Sequence, residues 1–256
     1  MKMRKVVTLV LGLMLASPLA GAYAQSSESR YDKKIQTMAQ EQLQKRDKHR
    51  NVRASAQDGI VTLTGEVELF IDKVNAEKQV RKIKNVDGVR NRIAVVSNVH
   101  DDILREQLSN KMRYDRIGYG IHFNSLTLKV DSGVVTVGGK VRDYPDRDSA
   151  IAIVETTPGV KDVIDEIDVA PLSAFDDDLR IRLALAIYGT VTLQKYANDP
   201  QAPIRIIVEN GRVELHGYVL NAGDKQIAYS QANSVPGVFS VTNNLAVATA
   251  VRESAK

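Results

Sequence analysis

The sequence predicts an α+β protein built from three tandem αββαβ units, each a small three-stranded sheet with two helices packed on one face. Two observations lead to this fold class. The stretch "DGIVTLTGEV" recurs as "SGVVTVGGKV" and again as "NGRVELHGYV". Around each copy, the spacing of apolar residues changes from the period of a strand to that of a helix and back. Such self-similarity indicates one supersecondary unit used three times.

The repeat extends well beyond ten residues, because the ranges 59–95, 133–169 and 211–247 align without a gap. Each copy has one glycine after an Asp, Ser or Asn and a second glycine six residues later. The first glycine predicts a two-residue hairpin turn, since such turns require positive φ. For the second, we expect a close approach of two backbones within the sheet. The repeat glycines are Gly59, Gly65, Gly133, Gly139, Gly211 and Gly217.

The other elements follow from periodicity, shown here on the third copy. Residues 204–208 alternate apolar and other side chains, which predicts a strand before the hairpin. Ala228 and Ala232 are four residues apart and share one face of a helix after it. Leu245 and Val247 alternate again and predict the closing strand. Left-handed residues that end the second helix are predicted at Asn85, Gly159 and Gly237.

A further helix is predicted before each hairpin. Acidic residues stand where these helices begin, and a carboxylate there interacts favourably with the positive end of the helix dipole. The expected starts are near Asp32, Asp101 and Asp177.

The first 24 residues have the features of a secretory signal peptide. A basic start, MKMRK, precedes the apolar run VVTLVLGLMLA and an Ala-x-Ala exit at residues 22–24. The run is too short for the roughly 20 apolar residues of a membrane span; a buried N-terminal helix is the alternative. We expect export to the periplasm with cleavage after Ala24. The predicted segments are 1–24 (signal peptide), 29–97, 100–171 and 175–248 (the three domains) and 249–256 (a short tail).

Composition excludes several classes of function. The chain carries a formal charge of +4, and loss of Lys2, Arg4 and Lys5 with the signal peptide leaves +1, which argues against a nucleic-acid binder. Cysteine is absent, so disulfides, thiol chemistry and a lipoprotein anchor are excluded. The four histidines lack the spacing of a metal site, and no nucleophile or phosphate-loop motif occurs. We therefore expect no cofactor, no metal and no enzymatic activity.

These units resemble the BON domain family (bacterial osmotically inducible and nodulation). The resemblance rests on "[DSN]G-x-V-x-[LV]-x-G-x-V" followed by a closing "GV-x-x-V-x-N-x-[LI]-x-V", and it is best in the third unit. The second unit departs with Asp165 where the others have Asn91 and Asn243, and the first has Asn85 in place of a glycine. The resemblance implies a non-enzymatic periplasmic protein of envelope and osmotic stress, associated with phospholipid surfaces or chaperone-like activity. Its glycines define a fold and do not fix a function.

The most informative stretch for function is "DDLRIRLALAIYG", residues 177–189. On a helical wheel, Leu179 and Leu183 belong to a core-facing stripe. Ile181, Leu185 and Tyr188 form a second apolar stripe on the opposite side, which a helix on a small domain does not need for its own core. The second stripe contacts either a neighbouring unit or an external partner. We expect functional use, as a lipid- or partner-binding surface.

Two classes of function remain open. In the first, the protein docks on phospholipid membrane surfaces through this apolar stripe. In the second, it is a soluble periplasmic chaperone-like protein that binds exported or unfolded polypeptides through the same surface. Its expected partners are therefore the membrane phospholipid surface or envelope proteins, with no nucleic acid. The oligomeric state stays open.

Overall fold

The computed structural model describes residues 19–114, 122–197 and 204–248, and it shows three αββαβ domains in tandem. The predicted fold class is confirmed. The second and third domains belong to one compact unit, and most of the first domain forms another. Residues 1–18 of the predicted signal peptide lie outside the described residues, so that expectation stays a prediction.

The first domain has a three-stranded sheet with β2 in the centre. β1 and β2 form an antiparallel hairpin in which Arg53 lies opposite Thr64. The first helix is already present at Leu19, so the predicted start near Asp32 was wrong; residues 19–31 contain no proline to break it. The elements are α1 (Leu19–Gln44), β1 (Arg53–Gln57), β2 (Ile60–Val67), α2 (Phe70–Val80) and β3 (Gly88–Val95), with a 3₁₀ turn at Asp47–His49.

The second domain repeats this topology with β5 as the central strand. β4 pairs antiparallel with β5, and β6 pairs parallel with β5 after the crossover through a helix. Its first helix starts at Asp101, as predicted. The elements are α3 (Asp101–Tyr114), β4 (Ser125–Asp131), β5 (Val134–Val141), α4 (Tyr144–Glu155) and β6 (Asp162–Val169).

In the third domain the central and closing strands are each divided. β8 stops before Gly217 and continues as β9, while the closing strand is split into β10 and β11, which pair with β8 and β9 respectively. The predicted single closing strand is therefore two short ones. The elements are α5 (Ala174–Tyr188), α6 (Gln194–Ala197), β7 (Arg205–Glu209), β8 (Arg212–His216), β9 (Tyr218–Val219), α7 (Ala222–Asn233), β10 (Ser240–Asn243) and β11 (Ala246–Val247).

The predicted turn residues all have positive φ. The hairpin pairs Asp58-Gly59, Ser132-Gly133 and Asn210-Gly211 have φ between 51° and 82°. The residues after the second helices, Asn85 and its glycine counterparts at 159 and 237, have φ of 66°, 107° and 96°. Asn85 therefore adopts the left-handed conformation that glycine adopts in the other two copies.

The second repeat glycine permits close backbone contact within the hairpin. Gly139 has φ of +100°, and a Cβ added there would lie 2.0 Å from the carbonyl oxygen of Ser125 on the neighbouring strand. Gly65 has the same relation to the carbonyl oxygen of Asn51, also at 2.0 Å. No side chain fits at such a distance, which explains why this position is glycine in the repeat.

An aspartate of each first helix binds the hairpin turn of its own domain. Asp176 accepts hydrogen bonds from the backbone N–H groups of Asn210, at 2.8 Å, and Gly211, at 2.9 Å. Asp32 and Asp101 bind their own turns in the same two-bonded manner. In the third domain the helix starts at Ala174, three residues before the expected position near Asp177, and its turn-binding aspartate is Asp176. The acid thus holds helix and hairpin together, in addition to any effect on the helix dipole.

Candidate functional site

The helix α5 is fixed by a cap at its start and a fully buried stripe along one side. The Ser173 hydroxyl accepts a hydrogen bond from the backbone N–H of Asp176, an N-cap of the usual kind. Leu179, Leu183 and Ile187 are 0% exposed and belong to the core of the third domain. Burial of each such side chain stabilises the fold by roughly 1.5–3 kcal/mol, so the orientation of α5 is firmly set.

Two of the predicted site residues lie on the opposite, outer face of this helix. Ile181 is 46% exposed and Leu185 is 69% exposed. Arg182 is the basic residue of this face, but its guanidinium forms an ion pair with Asp178 at 2.9 Å and donates to the carbonyl oxygen of Pro236 at 2.6 Å. The face is therefore apolar at its centre and lacks a free cation of its own.

The third predicted site residue, Tyr188, is directed elsewhere. Its hydroxyl donates to the carbonyl oxygen of Ile204 and lies 3.0 Å from Nδ1 of His122 in the second domain. The two rings are 4.9 Å apart between centroids. Burial raises the pKa of Tyr188 well above its ordinary value and lowers the pKa of His122. Tyr188 thus contributes to a contact between domains, separate from Ile181 and Leu185.

That contact is extensive enough to join the second and third domains. Phe123, which precedes β4 of the second domain, is buried in the hydrophobic core of the third. Lys140 on β5 forms an ion pair with Glu209 on β7 at 2.5 Å. Both residues lie on the sheet faces that the helices leave open, so the open faces of these two sheets meet at this pair. We call this contact the seam.

The outer face of α5 differs from the equivalent faces of the other two domains. When the turn-binding aspartates are aligned, the core stripes coincide, and the positions of Ile181 and Leu185 are occupied in α3 by Glu106 and Asn110, both exposed. In α1 these positions are polar as well. Only the third domain therefore presents large apolar side chains at these two positions.

A second apolar feature at the start of α5 was missed by the sequence analysis. Phe175 and Phe239 are 52% and 88% exposed and border a shallow cavity of about 660 Å³, together with Asn210, Gly237 and Val238. Phe175 is the second residue of α5, and Phe239 lies between α7 and β10. The available signal was that two of only four phenylalanines in the chain lie at the edges of the predicted elements, where no core position is expected.

The arrangement offers contact surface and no recognisable chemistry. Among the described residues, no group of three or more His, Asp or Glu side chains is placed to hold a metal ion. The partly exposed histidine of β8, His216, pairs with Glu214 on the same strand at 3.0 Å.

No helix in residues 19–114, 122–197 or 204–248 combines the length and hydropathy that crossing a bilayer requires.

The glycine pattern, the αββαβ topology and the three-stranded sheets together match one family. The family model described as BON domain matches residues 31–97, 100–171 and 191–249. The chain belongs to the BON domain family. BON domains are non-catalytic binding domains, typical of periplasmic proteins and associated with phospholipid binding in osmotic-stress proteins. The third match begins after α5, the helix that carries Ile181 and Leu185.

Among solved structures, the chain is similar to the C-terminal domain of CdsD, a structural protein of the Type III secretion system of Chlamydia trachomatis. The identity is 15%, the match covers 82% of this chain and 94% of that one, and the TM-score is 0.23. A second CdsD structure gives 15% identity, coverage of 85% and 95%, and a TM-score of 0.25. No protein of curated function matches the chain.

Proposed function

We propose that this protein is a non-enzymatic periplasmic BON protein of envelope homeostasis under stress, and that it docks on phospholipid membrane surfaces through the outer face of α5. The observation that carries the proposal is the exposure of Ile181 and Leu185 opposite a fully buried stripe. An amphipathic surface of this kind inserts its apolar side chains at the boundary between headgroups and acyl chains. Tyr188 supports the helix end from within the seam and is not part of the docking surface.

The energetic role of the two side chains follows from their exposure. Because Leu185 is mostly exposed, most of its side chain is still in contact with water in the folded chain. Transfer of a large apolar side chain out of water contributes roughly 1.5–3 kcal/mol. Two such side chains one helical turn apart therefore provide enough hydrophobic free energy for weak, reversible membrane binding. Their insertion removes no side chain from the core of the domain.

The test is Leu185→Asp, measured by thermal unfolding and by flotation with phospholipid vesicles on the same sample. We expect an unchanged melting temperature and a loss of vesicle binding of about tenfold or more, because a charge replaces the inserted side chain. Ile103→Asp is the matched control: Ile103 is 50% exposed on α3, the corresponding helix of the second domain. Undiminished flotation of the Leu185 variant would contradict the proposal, and a large drop in melting temperature would show that Leu185 has a structural role.

A second candidate function is chaperone-like binding of exported or unfolded polypeptides. The shallow cavity between Phe175 and Phe239 supports it, because exposed aromatic side chains around a concave surface suit an apolar side chain of a client. Phe239→Ser would then reduce the suppression of client aggregation and leave vesicle flotation unchanged. The opposite pattern would favour membrane docking alone.

A further inference from the structure

The charge of the chain is distributed unevenly among its domains. Residues 31–97 contain 14 lysines and arginines and nine aspartates and glutamates, a net charge of +5. Residues 100–171 contain nine basic and 13 acidic residues, a net charge of −4. The small total of the whole chain hides this difference. Any attraction to an anionic surface must therefore come mainly from the first domain.

Part of this charge is concentrated on the open face of the first sheet, the face away from the helices. Successive side chains of a strand point to opposite faces of the sheet. On β1, Ala54 is buried on the helix side, so its neighbour Arg53 lies on the open face. On β3, Asn91 contacts Glu77 of α2, so Arg90 and Arg92 lie on the open face. All three arginines are exposed. Among the described residues, none of them forms an ion pair with a carboxylate. Nη1 of Arg53 donates to the backbone carbonyl oxygens of Arg50 at 2.9 Å and Val52 at 3.3 Å.

The register of the sheet brings these arginines close together. Arg53 lies opposite Thr64 on β2. The Asp87 N–H donates to the Gly59 carbonyl oxygen, as the Lys161 N–H donates to that of Gly133 in the second domain. The central and closing strands therefore have the same register in both domains. In the second domain this register pairs Gly138 with Glu166, and in the first it places Arg92 beside Thr64, on the side away from Arg53. Neighbouring strands are about 4.8 Å apart, so Arg53 and Arg92 are separated by roughly 10 Å across the sheet.

The equivalent faces of the other two domains differ in composition and in exposure. In the second domain the positions of Arg53 and Arg92 are taken by Thr127 and Glu166. The open faces of the second and third sheets also meet each other at the Lys140–Glu209 ion pair of the seam. In the third domain Arg205 occupies the position of Arg53, but Asn244 takes the place of Arg92, so among the three described sheets only the first has arginines at both positions.

We infer that this arginine face, formed by Arg53, Arg90 and Arg92 with the hydroxyl of Thr64 between them, binds the phosphates of anionic phospholipid headgroups. Guanidinium groups bind phosphate oxygens through paired N–H donors, and the threonine hydroxyl adds a further donor. The face has no aromatic side chain on which a nucleic-acid base could stack. It is a surface of three adjacent strands, which suits a planar array of headgroups.

This inference rests on the proposed membrane docking and supplies what α5 lacks. The outer face of α5 offers apolar contact, but its arginine is already paired. The arginine face would provide the electrostatic attraction to anionic lipid. Alternation along β2 also places one carboxylate, Glu66, on the open face, where it offsets part of the positive charge. Binding should therefore depend on anionic lipid and on ionic strength, since salt screens exposed charges over about 10 Å at 0.1 M.

The test is the triple variant Arg53→Gln, Arg90→Gln, Arg92→Gln in the full chain, with phosphatidylglycerol and phosphatidylcholine vesicles at low and high salt. We expect binding to phosphatidylglycerol at low salt to fall roughly 100-fold, because each basic residue near an anionic surface contributes about fivefold. Binding to phosphatidylcholine and the melting temperature should not change. The charge-matched control is Lys78→Gln, Lys82→Gln, Lys84→Gln, exposed residues in and after α2, for which we expect a loss below about tenfold.

The outcomes separate this inference from the proposed function. Equal losses in the two triple variants would overturn the arginine face and leave docking through α5 intact. If the wild-type protein binds neither kind of vesicle, both are overturned. If sedimentation shows that the arginine variant dissociates a dimer, the face binds a second copy of the chain, and the lipid assignment is wrong. Competition by millimolar inorganic phosphate that removes all vesicle binding would likewise indicate a site for the free anion.

Discussion

The helices α3 and α5 occupy the same place in their domains but present different surfaces. Each carries an aspartate that binds its hairpin turn, and each buries a stripe of large apolar residues three, seven and eleven positions after it. On the outer side, α3 has Glu106 and Asn110 where α5 has Ile181 and Leu185. The shared features maintain the fold, and the differing ones set the polarity of the outer surface of each helix.

The same contrast explains why family membership alone does not locate a binding surface. The repeat glycines and the turn-binding aspartates serve backbone geometry in every copy, so they are poor indicators of function. Side chains that leave the scaffold unchanged are free to differ between copies. The outer face of α5 and the open face of the first sheet are both of this kind.

The largest expected effect tests the shared scaffold. Gly139→Val should destabilise the second domain by on the order of 4 kcal/mol, because its Cβ would overlap the Ser125 carbonyl oxygen and the residue has φ of +100°. Thermal and chemical unfolding measure this effect. Gly138→Ala is the neighbouring control, since its Cβ would come no closer than 3.2 Å to another atom and its φ is not positive. Equal melting temperatures for the two variants would refute the close-contact explanation.

An intermediate effect sharpens the comparison between the two helices. Asp176→Ala should cost about 3 kcal/mol and Asp101→Ala about 1–2 kcal/mol, because each leaves two backbone N–H groups without an acceptor and Asp176 is the more buried. Urea unfolding of both variants measures the difference, with the exposed Asp102→Ala as the control. A reversed order would show that burial does not set the strength of the two interactions.

The smallest effect on stability belongs to an exchange of outer faces. Glu106→Ile with Asn110→Leu places the α5 residues on α3 and should change the free energy of unfolding by less than about 0.5 kcal/mol, since both positions are exposed. Binding to vesicles should increase about tenfold, because a second apolar surface is created. Glu106→Gln with Asn110→Gln controls for the lost charge. If vesicle binding does not rise, apolar exposure at these positions is not sufficient for docking.

The sequence by itself determined the repeat, the αββαβ order and the special backbone positions. These features depend on local rules: the period of apolar residues distinguishes strand from helix, and positive φ at Asn85 or Asp58 is restricted to a few residue types. The two apolar stripes on opposite sides of α5 also follow from the sequence, because they appear on a helical wheel. The exposure of Ile181 and Leu185 agrees with that pattern because both lie nearly opposite a stripe that the core requires.

Only the tertiary structure decided which of those outer residues are available. Tyr188 lies on the same wheel face, but its contact with His122 spans 66 residues and involves a different domain. The cavity that Phe175 and Phe239 both line, and the placement of Arg53 and Arg92 on either side of Thr64, likewise depend on sheet pairing and on loop paths. Such contacts join segments distant along the chain, and local periodicity contains no information about the partner on the other side.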